Sequence, residues 1–325
     1  MNKRITIIGA GNMGTALALV LSDNGYNVKL WDMNSKVVNF INKSHENKIY
    51  LPKVRLPNKI SATSNIDEAA CFSNILILAI PSQFLRSTLR MIPNDDLKYE
   101  IIVNCAKGID LKTGQFMSDI VKEELGKKSH GIFADLSGPS LAAELVQRQL
   151  TGVIVASKNE LVLGYLRNIF ENDYLKIQTS TDVLGVEIGS VMKNIYSIGI
   201  GMTDELSNSM NTRALLLTQA LEEMSELGIK MGAKKETFYG LSGIGDLIAT
   251  CLSDYSRNRR LGQQIAKGKS VAQAQKVIKQ VTEGYYAAEA VQKISKKYKV
   301  KLPLTDTIYQ VLYKRKKPTE IIKAF

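Results

Sequence analysis

Arg4-Ile5-Thr6-Ile7-Ile8-Gly9-Ala10-Gly11-Asn12-Met13-Gly14-Thr15-Ala16-Leu17-Ala18-Leu19-Val20-Leu21 is the stretch that decides the fold. A short β-branched run passes through G-x-G-x-x-G into an apolar run of helical length, the setting in which those glycines have a physical meaning. Gly9 permits the tight turn, Gly11 lets the backbone approach a pyrophosphate, and Gly14 allows close helix–strand packing. The free N–H groups of the following helix then hold phosphates. A merely tight strand–helix turn is the plainer reading of such glycines. With both flanks correct, the motif favours a dinucleotide, and it says almost nothing about the reaction.

Outward from this turn, short apolar runs at 28–31, 75–80, 101–105, 132–136 and 152–156 alternate with helical patterns. They predict an α/β fold with a doubly wound, mostly parallel sheet of Rossmann type. Asp32 closes the second run, 18 residues past Gly14. An acidic residue at about that distance accepts hydrogen bonds from an adenosine ribose and repels a 2′-phosphate; a helix N-cap is the alternative. From about Thr181 the texture becomes helical, with no convincing strand. The expected domains are therefore 1–180, binding the dinucleotide, and an all-helical 181–325, carrying substrate and catalysis, with chemistry in the cleft between them.

Composition removes several classes. No apolar run approaches the roughly 18 residues that span a bilayer, and the first strand begins too early for a signal peptide. Cys71, Cys105 and Cys251 are odd in number and lack C-x-x-C spacing, so no disulfide framework or metal site is expected and a cytoplasmic setting is. Forty-three basic against 31 acidic residues give a net charge of +12. The late cluster Lys293, Lys296, Lys297, Lys299, Lys301, Lys314, Arg315, Lys316 and Lys317 reads as solvated helix faces. Without stacking aromatics arranged in a basic stripe, nucleic acid is not the expected partner. The two histidines, His45 and His130, sit in polar or turn-like stretches, so an oxidoreductase built on this chain finds its proton donor elsewhere.

Lys193 is the only charged residue between Glu187 and Asp204. A lysine in so apolar a helix either snorkels to solvent or is buried with a lowered pKa. Its small neighbours Gly189, Ser190, Ser197, Gly199 and Gly201 favour tight packing and burial. Hydride transfer to a ketone needs a proton for the developing alkoxide, and a buried lysine can hold one. Gly240-Leu-Ser-Gly-Ile-Gly-Asp246 delivers a carboxylate at a helix start, where a first-turn or N-cap aspartate is the plain alternative. Ser256-Arg257-Asn258-Arg259-Arg260 joins a hydroxyl, helix-start N–H groups and guanidinium forks into a phosphate site, against the alternative of a basic exposed face. Asn104-Cys-Ala-Lys107-Gly108 and Ser137-Gly138-Pro-Ser140-Leu-Ala142 follow strands, at the sheet edge where ligands of this architecture bind.

In this order the segments resemble the NAD(P)-dependent glycerol-3-phosphate dehydrogenases of the bacterial cytosolic type, over essentially the whole chain. Ile80-Pro-Ser-Gln83, Asn211-Thr-Arg-Ala214, Val281-Thr-Glu283-Gly284 and Leu302-Pro-Leu-Thr305 add to the match. The resemblance implies reversible reduction of dihydroxyacetone phosphate to glycerol 3-phosphate, a glycerophospholipid precursor, with Lys193 as proton donor and acceptor. It implies substrate contacts at Lys107, Gly138, Ser140, Lys193, Asp246, Ser256, Arg257 and Asn258. Cofactor contacts are implied at Asn12, Met13, Met33, Ala142, Val281 and Glu283, with Arg257 also facing the cofactor. Lys107, the remaining glycines of the turn and Asp32 join the expected cofactor set. Three positions depart from the family: Asn12-Met13 within the turn, Asp32-Met33 where a basic residue is common, and Gln219 in place of an arginine. Asp32 favours NAD(H), with NADP(H) as the alternative. The expected partners are the small-molecule substrate and a second copy in a homodimer, without nucleic acid or membrane insertion. A related dehydrogenase acting on a hydroxyacid or imine, or a cofactor-binding regulator, are the competing readings.

Overall fold

The computed structural model describes residues 3–93, 99–126, 132–207 and 209–323. His130 falls outside them. The chain divides into two compact units. The first comprises Met1–Ala106, Met117–Leu136 and Ser140–Val183; the second comprises Lys107–Phe116, Ser137–Pro139 and Leu184–Phe325. Two segments inside the expected 1–180 stretch thus pack with the helices of the second unit, and they carry Lys107 and Gly138.

Unit one is built on an eight-stranded sheet: β1 (Arg4–Ile8), β2 (Asn27–Trp31), β5 (Ile60–Thr63), β6 (Ile75–Leu78), β7 (Ile101–Asn104), β8 (Ile132–Ser137), β9 (Thr151–Ala156) and β10 (Leu175–Ser180), with a hairpin of β3 (Glu46–Asn47) and β4 (Leu51–Arg55) beside it in sequence. The order is β10-β9-β8-β7-β6-β1-β2-β5. The strands from β5 to β8 in that order run parallel, as do β9 and β10 to each other. The helices are α1 (Asn12–Asp23), α2 (Ser35–Ser44), α3 (Ile66–Ala70), α4 (Ser82–Met91), α5 (Met117–Leu125), α6 (Ala142–Leu145) and α7 (Glu160–Phe170). Because successive strand side chains face opposite ways, Ile5, Ile7, Ile75, Ile77, Ile101 and Val103 join α1 and α7 in one core. Ile8, Leu76, Leu78 and Ile102 join α4 and α5 in the other. Two apolar faces, each covered by helices, are what a doubly wound sheet requires.

The edge strands β5 and β10 carry too much polar residue to stand out as apolar runs. His45 ends α2 as its C-cap in the left-handed conformation, φ 49°. The α2 N-cap is Asn34, whose side chain accepts from Lys36 N. This removes the N-cap alternative for Asp32.

Unit two is helical: α8 (Val183–Leu206), α9 (Met210–Met231), α10 (Lys235–Phe238), α11 (Asp246–Leu252), α12 (Arg257–Ala266), α13 (Val271–Ile278), α14 (Glu283–Tyr298) and α15 (Pro303–Lys314). Its core gathers around α8, with Ile188, Met192, Ile195 and Tyr196 among the buried residues. The late lysines are exposed. No helix among the described residues is long and apolar enough to cross a membrane.

Candidate active site

In unit one the glycine turn is as tight as the motif demands. Gly9 takes φ +108°, and a Cβ on Gly14 would lie 1.9 Å from the Gly9 carbonyl oxygen. A Cβ on Gly11 would meet nothing within 4 Å. Gly11 is the N-cap of α1 and supplies no side-chain cap, so the first N–H groups of the helix are not met by a side chain of their own N-cap. Asp32 accepts from Ala10 N at 3.1 Å and from Asn34 N at 2.9 Å. These bonds tie its carboxylate to the turn and leave acceptor sites over for a ribose. Asn12 donates to Tyr50 O at 3.1 Å, and Met33 stands 80% exposed. The open side of Gly11, the helix start and the fixed carboxylate fit a dinucleotide. Ser140 and Ala142 also belong to unit one.

Unit two brings the other candidates together on one face of α8. Ser190, Lys193, Asn194 and Ser197 follow helical spacing, so they form a single buried polar stripe. Ser190 Oγ lies 2.5 Å from Ser137 Oγ, next to Gly138. Lys193 Nζ pairs with Asp246 Oδ1 and donates to Thr250 Oγ1 at 2.9 Å. Thr250 in turn donates to Asp246 Oδ1 at 3.2 Å. Lys107 Nζ lies 3.0 Å from the other carboxylate oxygen, Oδ2, and 3.5 Å from Gly138 O.

Asp246 is the first residue of α11, and its carboxylate serves the two lysines rather than capping its helix. Burial favours its neutral form, but the Lys107 and Lys193 charges outweigh burial and hold the carboxyl below its usual range. Burial pushes the Lys193 ammonium down to about 7, and Lys107 adds to that shift while Asp246 opposes it. Snorkelling is thereby excluded, since Lys193 is 4% exposed. The corner holds two cations against one anion, a surplus positive charge suited to a developing alkoxide.

Ser256 caps α12, accepting from Arg259 N at 3.2 Å. Asn258 donates to Asn194 Oδ1 at 3.0 Å and accepts from Gly284 N at 3.1 Å, which ties the start of α14 to the start of α12. Arg257 is exposed at the first position of α12, and the Glu283 carboxylate lies within its electrostatic reach. The expected fork of guanidiniums is narrower than the sequence suggests. Arg259 bonds Asp204 at 2.6 Å, Leu252 O at 3.0 Å and Asp254 at 2.7 Å, so it braces the helix.

Sequence reading missed Thr250, although its spacing of four from Asp246 puts both on one face of α11. It also missed Ser197, whose helical register with Lys193 was the available signal.

Residues 4–162 match the family described as NAD-dependent glycerol-3-phosphate dehydrogenase N-terminus, and residues 182–323 match its C-terminus. The NAD(P)+ glycerol-3-phosphate dehydrogenase of Fusobacterium nucleatum is 40% identical over 98% of this chain and 95% of its own length. That of Listeria monocytogenes is 38% identical over 98% and 95%. The crystal structure of glycerol-3-phosphate dehydrogenase from Coxiella burnetii superposes with a TM-score of 0.91 at 32% identity, covering 98% of this chain and 97% of that one. Sequence and fold agree: the chain belongs to the NAD-dependent glycerol-3-phosphate dehydrogenase family.

Proposed function

We propose that Lys193 exchanges the proton in this chain's nicotinamide-dependent interconversion of dihydroxyacetone phosphate and sn-glycerol 3-phosphate. The observation that carries this reading is the buried pairing of Lys193 with Asp246 and Thr250, with Lys107 on the opposite carboxylate oxygen. An ammonium group has three hydrogens. Asp246 and Thr250 take two, leaving one for the ketone oxygen. As that oxygen gains charge, the third N–H bond breaks and an O–H bond forms, leaving neutral Lys193 beside the Lys107–Asp246 pair. In the reverse direction the neutral amine takes the hydroxyl proton. The glycine turn, Asp32 and Met33 of unit one would hold a nicotinamide dinucleotide, which would supply or accept the hydride. The N–H groups that open α12, with Arg257 and Asn258, hold the substrate phosphate. Unit one is then the dinucleotide-binding domain, and unit two carries substrate and catalysis. The reading extends to a cytoplasmic homodimer that feeds glycerophospholipid synthesis.

The pH dependence tests the assignment directly. Ketone reduction needs the protonated lysine, so its kcat/KM is expected to fall as pH rises through about 7. Glycerol 3-phosphate oxidation needs the neutral amine and is expected to rise over the same range, then level off. Profiles flat between pH 6 and 8 in both directions would remove Lys193 from the role.

Arg257→Ala is expected to raise KM for dihydroxyacetone phosphate by ~10–100-fold, the loss of a charge-assisted contact. An unchanged KM would move the phosphate site away from α12.

Asp32 supports NAD(H) as the preferred cofactor, because two backbone bonds stop its carboxylate from swinging away from a 2′-phosphate. NADH is expected to exceed NADPH in kcat/KM by about tenfold or more, the effect of apposed like charges. Initial rates with each cofactor at fixed dihydroxyacetone phosphate decide it, and equal values would refute the preference.

A further inference from the structure

Ser197 lies one turn beyond Lys193 on α8, and its side chain is fully buried at 0% exposure. Its hydroxyl donates to Thr250 O at 3.1 Å, on the residue whose side chain holds Lys193. Its oxygen also lies 2.8 Å from Ser256 Oγ. A serine hydroxyl has one proton. Since that of Ser197 is directed to Thr250, the contact between the two hydroxyls is donated by Ser256. Ser256 Oγ meanwhile accepts from Arg259 N as the N-cap of α12. The single proton of Ser256 is therefore already engaged inside the protein.

From this geometry we infer that Ser197 is a positioning residue, a strut that sets the spacing between the proton-transfer corner on α11 and the phosphate-binding start of α12. Ser256 is the far end of that strut and does not donate its hydroxyl to the phosphate. The inference rests on α12 holding the phosphate, and it reassigns how Ser256 takes part. The packing beyond Ser197 suits a fixed mount. A Cβ on Gly262 would lie 2.0 Å from Ile198 O, and one on Gly201 would lie 1.9 Å from Arg259 O. With α8 and α12 closely approached at these two points, the Ser197–Ser256 bond fixes the remaining freedom at the end of α12 that faces the phosphate.

A double-mutant cycle on the intact enzyme separates the strut from a direct ligand. Its arms are Ser197→Ala, Ser256→Gly (glycine being a tolerated N-cap) and the double variant. Each single change is expected to raise KM for dihydroxyacetone phosphate by about 5–10-fold, a buried hydrogen bond's worth. The double variant should be no worse than the larger single. In Ser197→Ala the pH midpoint of reduction and the activity on phosphate-free dihydroxyacetone should stay as in the parent, because Lys193 keeps its partners. Additive effects on KM would overturn the strut and make Ser256 a direct phosphate donor. An unchanged KM in folded Ser197→Ala, or a loss shared equally by dihydroxyacetone, would also overturn it. If Ser197→Ala does not fold, Ser197→Cys, whose thiol is only a weak donor and acceptor, takes its place in the cycle. Failure of the α12 reading is visible separately, as an Arg257→Ala enzyme with parental KM, and it would take this inference with it.

Discussion

Lys193→Ala is expected to lower turnover of dihydroxyacetone phosphate by ~100-fold or more, the contribution of a positioned general acid, while NADH affinity stays close to that of the parent. The substitution removes the hydrogen aimed at the ketone, and nothing else in the corner can replace it. Lys107 sits on the opposite carboxylate oxygen, Asp246 Oδ2, and against Gly138 O, not where that hydrogen was. The fold should tolerate the change, because Asp246 keeps Lys107 and Thr250 and a costly buried ammonium is gone. Steady-state kcat and a fluorescence titration with NADH are the two measurements. The pH step near 7 should vanish with the lysine. Near-parental turnover would sink the assignment, and lost NADH binding would mean that the residue acts on cofactor instead.

Stability should respond most strongly at Glu223, a buried carboxyl of α9 that caps α15 from outside that helix. It accepts from Leu304 N at 2.5 Å, Thr305 N at 3.0 Å, Thr305 Oγ1 at 2.7 Å and Tyr196 Oη at 3.3 Å. Glu223→Ala strands these donors in the core, and an expected loss of about 3–5 kcal/mol follows from several unsatisfied buried groups. Glu223→Gln keeps an acceptor and should cost about 1 kcal/mol. Chemical denaturation measures both, and a loss under 1 kcal/mol for the alanine variant would contradict the capping role. Burial, against the opposing bonds of Thr305 and Leu304, raises this carboxyl from 4.5 to about 7. The folded state then holds a proton that the unfolded chain has released. The associated stability is full below about 4.5 and declines as pH rises through about 7. Glu223→Gln should flatten that decline.

What the sequence disclosed follows from how local each signal is. The β1–α1 turn, Asp32 and the apolar central strands were legible because turn chemistry and burial on both faces leave marks within a few residues. The edge strands β5 and β10 were not, since Ile60-Ser-Ala-Thr63 and Leu175-Lys-Ile-Gln-Thr-Ser180 mix polar with apolar residues. Lys193 stood out by being alone among apolar neighbours. Its partner Thr250 and the strut Ser197 did not, because a hydroxyl on a helix has many ordinary uses and only a third dimension shows which one applies. Arg259 misled for the same reason: its neighbours in sequence suggest phosphate, whereas its neighbours in space are Asp204 and Asp254. The placement of Lys107–Phe116 and Ser137–Pro139 with unit two likewise depends on packing that no linear pattern records.

The bonds from Ala10 N and Asn34 N to Asp32 bear on how readily this lineage could exchange one cofactor for the other. A mutation that swaps Asp32 for a residue welcoming a 2′-phosphate also takes away the acceptor that anchors Ala10 within the glycine turn. On the proposed role of Asp32, selectivity and scaffold share a single side chain, so the evolutionary route to NADP(H) passes through a weakened turn unless a second change supplies a new acceptor first. An engineer would meet the same barrier and would have to install the replacement anchor before altering the charge.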